Sequence, residues 1–328
     1  MMRLPSINRS FIVLAIIVLL LILVPILGSR QTVNLVAEMA AVLAIALMWN
    51  LLAGFGGMVF MGFQVFVGIG GYAVFMAANG FQVLPFPFIL LSAALCALIA
   101  LAIMPILSRL QGVQFAIASW VISEVVRLSV FQTSVLGGGG GISLTAMRSV
   151  PRELRMYGTY GSAALVLIVA LVVCVFLMRS RVGLALRAIR DNATAAEAMG
   201  IDLRRTQGLV MMIAAAVAGA GGGAYYMLAL QIGPGTAFSM NWMAITLFVV
   251  ILGGIGTLEG PIVGVLVYFL LRETLSDLGS VYFILLGLMA ILVTLLFPKG
   301  AWGGIRQLIG QDLLPIQRNP TESRGRKC

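Results

Sequence analysis

The residues able to do chemistry here are few, and their types suit holding and moving a solute better than making or breaking bonds. The chain has no histidine in 328 residues. That removes histidine metal sites, Ser-His-Asp catalysis and imidazole proton relays together. Cys96 and Cys174 stand apart in apolar runs and Cys328 is the last residue, so no CxxC spacing offers a metal or redox pair. What remains is a set of ionisable residues inside apolar stretches, where charge is costly without a partner or water. Glu124 and Arg127 share one helix face at a spacing of three and can pair. An internal salt bridge and a contact to a passing solute both fit that spacing. Glu38 stands alone in its run. Arg272, Glu273 and Asp277 cluster near the end of another, where snorkelling to water explains them.

Glycine supplies the second class of candidates. Trp49 to Tyr72 reads WNLLAGFGGMVFMGFQVFVGIGGY and Leu252 to Gly264 reads LGGIGTLEGPIVG. In the first, Asn50, Gly54, Gly57 and Gln64 are candidate pathway groups. An open helix N-terminus there would favour a substrate carboxylate, with Asn50 as its cap. Phe60, Phe63 and Phe66 read as packing first. In the second, Gly254, Gly256 and Thr257 are the candidates. Gly256, Gly260 and Gly264 recur every four residues, which fits close helix packing. A broken helix whose freed backbone faces a substrate fits equally. The run Gly137–Gly141 has no lysine after it, and no lysine occurs before Lys299, so there is no phosphate-cradling loop. The chain cannot harness ATP by itself, and no cofactor is expected on it.

The third candidate is the polar interruption from Arg179 to Arg205, with six arginines against Asp191, Glu197 and Asp202. Asp191 or Asn192 can cap a short helix, Thr194 and Glu197 have capping-box spacing, and Gly200 suits a left-handed stop. The segment 184–189 predicts another helical turn before it. Alanines at 193, 195, 196 and 198 give the short helix a smooth face suited to a groove on a partner. A plain connector would be shorter, so this structured loop predicts docking.

The elements that must position these groups are membrane helices. The chain is 61% hydrophobic and 10% charged, with mean hydropathy +1.09, which excludes a soluble globular class. About twenty helical residues cross a bilayer. Ten spans are predicted: 10–28, 33–53, 58–79, 84–107, 112–131, 161–178, 206–230, 241–257, 260–277 and 280–297. Without period-2 alternation a lipid-facing barrel is excluded, and the fold expected is an all-α, polytopic transmembrane bundle with broken or re-entrant helices. Residues 1–305 form one transmembrane domain and 306–328 a polar tail. With both termini cytoplasmic, 15 of the 21 Lys and Arg residues fall inside, which is the positive-inside pattern. It accounts for the net charge of +10 without nucleic acid. Arg148, Arg152 and Arg155 then fall outside. Arg3 and Arg9 before a long apolar run, with no clean small-x-small site after it, predict a retained signal-anchor.

These motifs resemble the high-affinity branched-chain amino acid permease family of ABC importers, of LivM/LivH type, from about Asn34 to Gly304. Asn50-Leu51-Leu52-Ala53-Gly54 through Gly68-Ile69-Gly70-Gly71-Tyr72 resembles one family segment. Gly183–Asp191 with Ala195–Ile201 resembles its coupling loop, and Gly253–Thr257 with Gly260-Pro261 its glycine turn. Phe60 and Phe63 depart from the small hydroxyl and polar residues usual there, which leaves the substrate open to urea, short amides or aromatic acids. The resemblance implies a type II-like importer permease in a bacterial inner membrane. It would work with a second permease subunit, two ABC ATPase subunits and a periplasmic solute-binding protein. ATPase contact would fall on Arg187, Arg190, Asp191, Ala195, Ala196, Glu197, Ala198 and Gly200, with both arginines pairing to acids on the ATPase. The substrate pathway would take Asn50, Gly54, Gly57, Gln64, Glu124, Gly254, Gly256 and Thr257. An ion-coupled secondary transporter is the alternative, with Glu124 or Glu38 as the coupling carboxylate.

Overall fold

In the computed structural model, residues 6–275 and 300–309 are described, with isolated positions between them. The helices are α1 (Ser6–Leu27), α2 (Arg30–Asn50), α3 (Gln64–Phe81), α4 (Phe88–Leu107), α5 (Gly112–Gln132), α6 (Arg152–Arg179), α7 (Arg181–Asp191), α8 (Ala193–Ala198), α9 (Leu203–Ala229), α10 (Pro234–Ala237), α11 (Met240–Gly253), α12 (Gly260–Leu275) and α13 (Gly300–Ile309). Among the described residues, seven stretches are long and apolar enough to cross a membrane: α2 with the turn after it, α3, α4, α5, α6, α9, and α10 with α11. They correspond to the second through eighth predicted spans. The first and ninth are the apolar helices α1 and α12, while 280–297 lies outside the described residues. The chain is an all-helical multi-pass membrane protein. Among the described residues, the one strand pair is a two-residue antiparallel bridge joining Ile142 to Ile232 and Ser143 to Gln231.

Helix α2 is the axis of the bundle. Every residue from Ala40 to Asn50 is buried, as expected of a helix that is apolar all round. The helices α6, α9, α11 and α12 pack against it. In lipid no hydrophobic force drives helices together, so small residues that let backbones approach must do it. The α3–α9 contact shows this: a Cβ at Gly70 would lie 2.0 Å from the Gly219 carbonyl oxygen. Gly219 and Gly223, four residues apart on α9, therefore lie on a packing seam. By contrast α5 buries only Phe115, Ser119 and Ser123, one line along its length.

Two boundaries differ most from the sequence expectation. The third span was expected from 58, but α3 begins at Gln64. Gly57 has φ +68°, which turns the chain out of the preceding helix, and residues 57–60 form no regular structure. The Gly57 and Met58 amides still reach back to the Ala53 and Leu52 carbonyls, and side chains hold the stretch that follows. Trp49 Nε1–H donates to the Phe60 carbonyl at 3.0 Å, and Ser119 Oγ accepts from the Met61 and Gly62 amides at 2.9 and 3.3 Å. Helix α6 begins at Arg152 rather than 161, because a polar first turn contributes nothing to hydropathy yet continues the helix. Arg152 and Arg155 are thus helical.

Candidate functional site

The two glycine-rich segments meet. At the end of α2 the backbone widens into a π-helical turn, Leu51–Phe55, a feature that concentrates at functional positions. Asn50 precedes it and is fully buried. It does not cap a half-helix as expected: its side chain makes no capping bond. Its amide crosses to the second segment, where Nδ2–H donates to the Thr257 carbonyl at 2.7 Å and Oδ1 accepts from the Gly256 amide at 2.9 Å. A backbone turn has a donor and an acceptor to satisfy, and an amide matches both at once. The turn is closed on itself by Thr257 Oγ1, which donates to the Gly254 carbonyl and accepts from the Gly260 amide.

Glycine is required on both sides of this stitch. A Cβ at Gly54 would fall 2.2 Å from Asn50 Oδ1 and 2.6 Å from the Gly256 nitrogen, while Gly256 itself has φ +76°. Asn50, Gly54, Gly254, Gly256 and Thr257 therefore form one cluster, with Gly57 at its edge. Gln64 and Glu124 stand outside it. Gln64 opens α3 with its side chain buried, and its Oε1 finds no partner among the described residues.

The 179–205 loop lies directly on this cluster. Ser180 caps α7 by accepting from the Val182 and Gly183 amides. Gly183, Leu186 and Ile189 form its buried face, and Leu186 rests on Gly56. Asn192 caps α8 by accepting from the Ala195 amide at 3.0 Å, and Gly200 has φ +83°, as the sequence predicted. The arginines are placed differently from the expectation. Arg190 Nη1 donates to the Gly54 carbonyl at 2.8 Å, and its other nitrogens hold Asp191. Arg187 Nη2 donates to the Met178 carbonyl at 2.9 Å, at the C-terminal end of α6, where a cation is favoured. Burial, then repulsion from Arg190, pulls the Arg187 pKa below its ordinary value, with Asp191 opposing. Each of the two arginines reaches a carbonyl of its own chain. Ala196 is also turned inward and fully buried. The exposed face of the loop carries Ala195, Glu197 and Ala198 together with Leu184 and Met199, the last two 70% and 72% exposed. Sequence reasoning missed these two; apolar residues in an arginine-rich polar loop were the available signal.

The carboxylates of Glu124 and Glu38 are each paired with an arginine. Arg127 Nε donates to both carboxylate oxygens of Glu124 at 3.0 and 2.9 Å on the exposed side of α5. Glu38 does not stand alone, nor does Arg272 snorkel: Arg272 Nη1 and Nη2 bind Glu38 Oε1 and Oε2 at 2.6 and 2.7 Å. Tyr225 donates to the same carboxylate at 3.4 Å. Asp277 lies outside the described residues. The pair joins α2 to α12 across 234 positions, toward the end of the bundle opposite α7 and α8. Lone charges of opposite sign, each toward the same end of its antiparallel span, were the legible clue.

A family model described as "Branched-chain amino acid transport system / permease component" matches residues 31–297. The high-affinity branched-chain amino acid transport system permease protein LivM of Escherichia coli (strain K12) is 27% identical over 330 residues, covering 90% of this chain and 77% of that protein. A probable LivM permease of Methanocaldococcus jannaschii is 28% identical over 174 residues, covering 52% of this chain and 50% of its own. The probable ABC transporter permease protein YphD of E. coli is 32% identical over 125 residues, covering 36% of this chain and 37% of its own. No solved structure matches. The match runs through the glycine stitch, the α7–α8 loop and the Glu38–Arg272 pair alike, and the chain belongs to the branched-chain amino acid transport system permease family.

Proposed function

We propose that this chain is a permease subunit of an ABC importer for branched-chain amino acids or a related small polar solute. The solute arrives on a periplasmic binding protein, and separate ATPase subunits grip the α7–α8 loop. A second permease completes the membrane part, in a bacterial inner membrane with both termini cytoplasmic. The supporting observation is the Arg190–Gly54 bond. It ties a loop with an exposed apolar and acidic face to the point where α2 widens and meets the Gly254–Thr257 turn. Movement of the loop by a partner is thereby passed to the break in the helices, and packed bundles respond to such a push by rocking as rigid bodies.

A proton-coupled transporter needs a carboxylate at membrane depth that exchanges protons. Glu38 and Glu124 are instead each committed to an arginine. Reconstitution decides between the two. Proteoliposomes holding the chain with its ATPases and binding protein should take up leucine only with ATP inside. Uptake that persists without the ATPases and collapses with a protonophore would overturn the importer reading.

A further inference from the structure

We propose that the cavity at the end of the bundle opposite α7 and α8 binds a zwitterionic α-amino acid with an apolar side chain, its ammonium on Glu38 and its carboxylate on Arg272. This inference rests on the importer reading and names a binding point within it. The cavity has a volume of about 420 Å³ and is walled by α2, α9 and α12. Glu38, Glu273 and Arg272 give it a charged wall beside the Tyr225 hydroxyl, and Leu35 and Leu228 an apolar one.

The ion pair is open toward this space. The Glu38 and Arg272 side chains keep 22% and 32% exposure, more than a sealed strut between helices would show. Arg272 spends one N–H of each terminal nitrogen on Glu38. A guanidinium has five donors in a fixed fork, so three remain for a second carboxylate. Its plane is held by Phe269, whose ring centre lies 4.5 Å from the Arg272 guanidinium carbon. Glu38 likewise keeps lone pairs for an ammonium, and the long 3.4 Å bond from Tyr225 is the contact most easily exchanged. A zwitterion laid across the pair makes a four-charge alternation in which no charge is left unpaired. That condition makes such a group tolerable at membrane depth. An amine or a carboxylic acid alone would leave one charge in excess. Next to this cavity, across Asn34 and Leu228, a second one is lined by Arg30, Arg152 and Arg155. Their combined field draws carboxylates toward it.

The test uses the assembled importer with Cys328 replaced by serine and Asn34 by cysteine, since Cys96 and Cys174 are buried. A membrane-impermeant maleimide then reports access to the mouth of the cavity. Leucine should slow labelling, while 4-methylpentanoate and 3-methylbutylamine, each lacking one charge, should not. Glu38→Gln should weaken protection by leucine about tenfold or more, the worth of one charged hydrogen bond, and should let 4-methylpentanoate protect equally. Leu35→Trp fills the apolar side of the space while keeping both charged residues, and should abolish protection with assembly intact. Equal protection by all three compounds, or none by leucine in an importer that transports leucine normally, would sink the cavity assignment and leave the importer reading standing. Failure of the complete assembly to transport any amino acid would sink both.

Discussion

Asn50 shows how much one side chain can carry when its surroundings are dry. Its amide satisfies the Gly256 amide and the Thr257 carbonyl, groups more than 200 positions away. Asn50→Ala strands both, at about 1–3 kcal/mol for each buried group left unpaired. We expect the variant to unfold at lower temperature in detergent and to lose uptake; a variant as stable as the parent would show the stitch to be incidental. Arg190 differs in kind, since it joins the α7–α8 loop to a carbonyl at the end of α2. Arg190→Ala should leave membrane assembly intact and partner ATP hydrolysis running, while uptake falls. Preserved uptake at parental rates would separate the loop from the pathway. Neither role was visible from residue type, because an asparagine before a glycine cluster reads as a cap and a loop arginine as a surface charge.

At the scale of elements, α8 offers a sharp contrast between neighbours. Ala196 is fully buried and Ala195 exposed. Ala196→Leu overpacks the seat of the helix, typically at about 1–3 kcal/mol, and should loosen the loop itself, seen as faster proteolysis between α6 and α9. Ala195→Leu should leave that protection unchanged but block co-purification of the ATPases. Identical behaviour of the two would mean that α8 presents no defined face. The glycine face of α9 makes a separate prediction. A Cβ at Gly219 would lie inside van der Waals distance of Cys96 Sγ on α4, at 2.4 Å, so Gly219→Leu should prevent a monodisperse permease from forming on size-exclusion chromatography. The caps at Asn192 and Gly200 were legible in the sequence because capping is local chemistry, decided within four residues.

At the scale of the whole molecule, the Glu38–Arg272 pair and the Arg190–Gly54 bond lie toward opposite ends of one bundle. In the importer we propose, the end carrying α7 and α8 takes the ATPases and the other takes the solute. Met199→Cys in the loop and Phe81→Cys at the end of α3, both at exposed positions, should react with impermeant maleimide from opposite faces of the membrane. Labelling of both from the same face would break the topology and the importer reading with it.

Hydrophobicity and spacing determined that this chain is a helical membrane protein, where most helices lie, and that residues 179–205 form a capped, structured loop. Those properties depend on composition and on contacts a few residues apart. The sequence also exposed the three motifs that join the chain to its family. The tertiary structure alone decided what the motifs do to one another. It turned two glycine segments into a single stitch, sent two loop arginines inward to carbonyls, and gave Glu38 its partner. Each of those outcomes depends on which helices become neighbours, and in lipid that choice is made by the fit of small residues across the bundle, which no local pattern encodes.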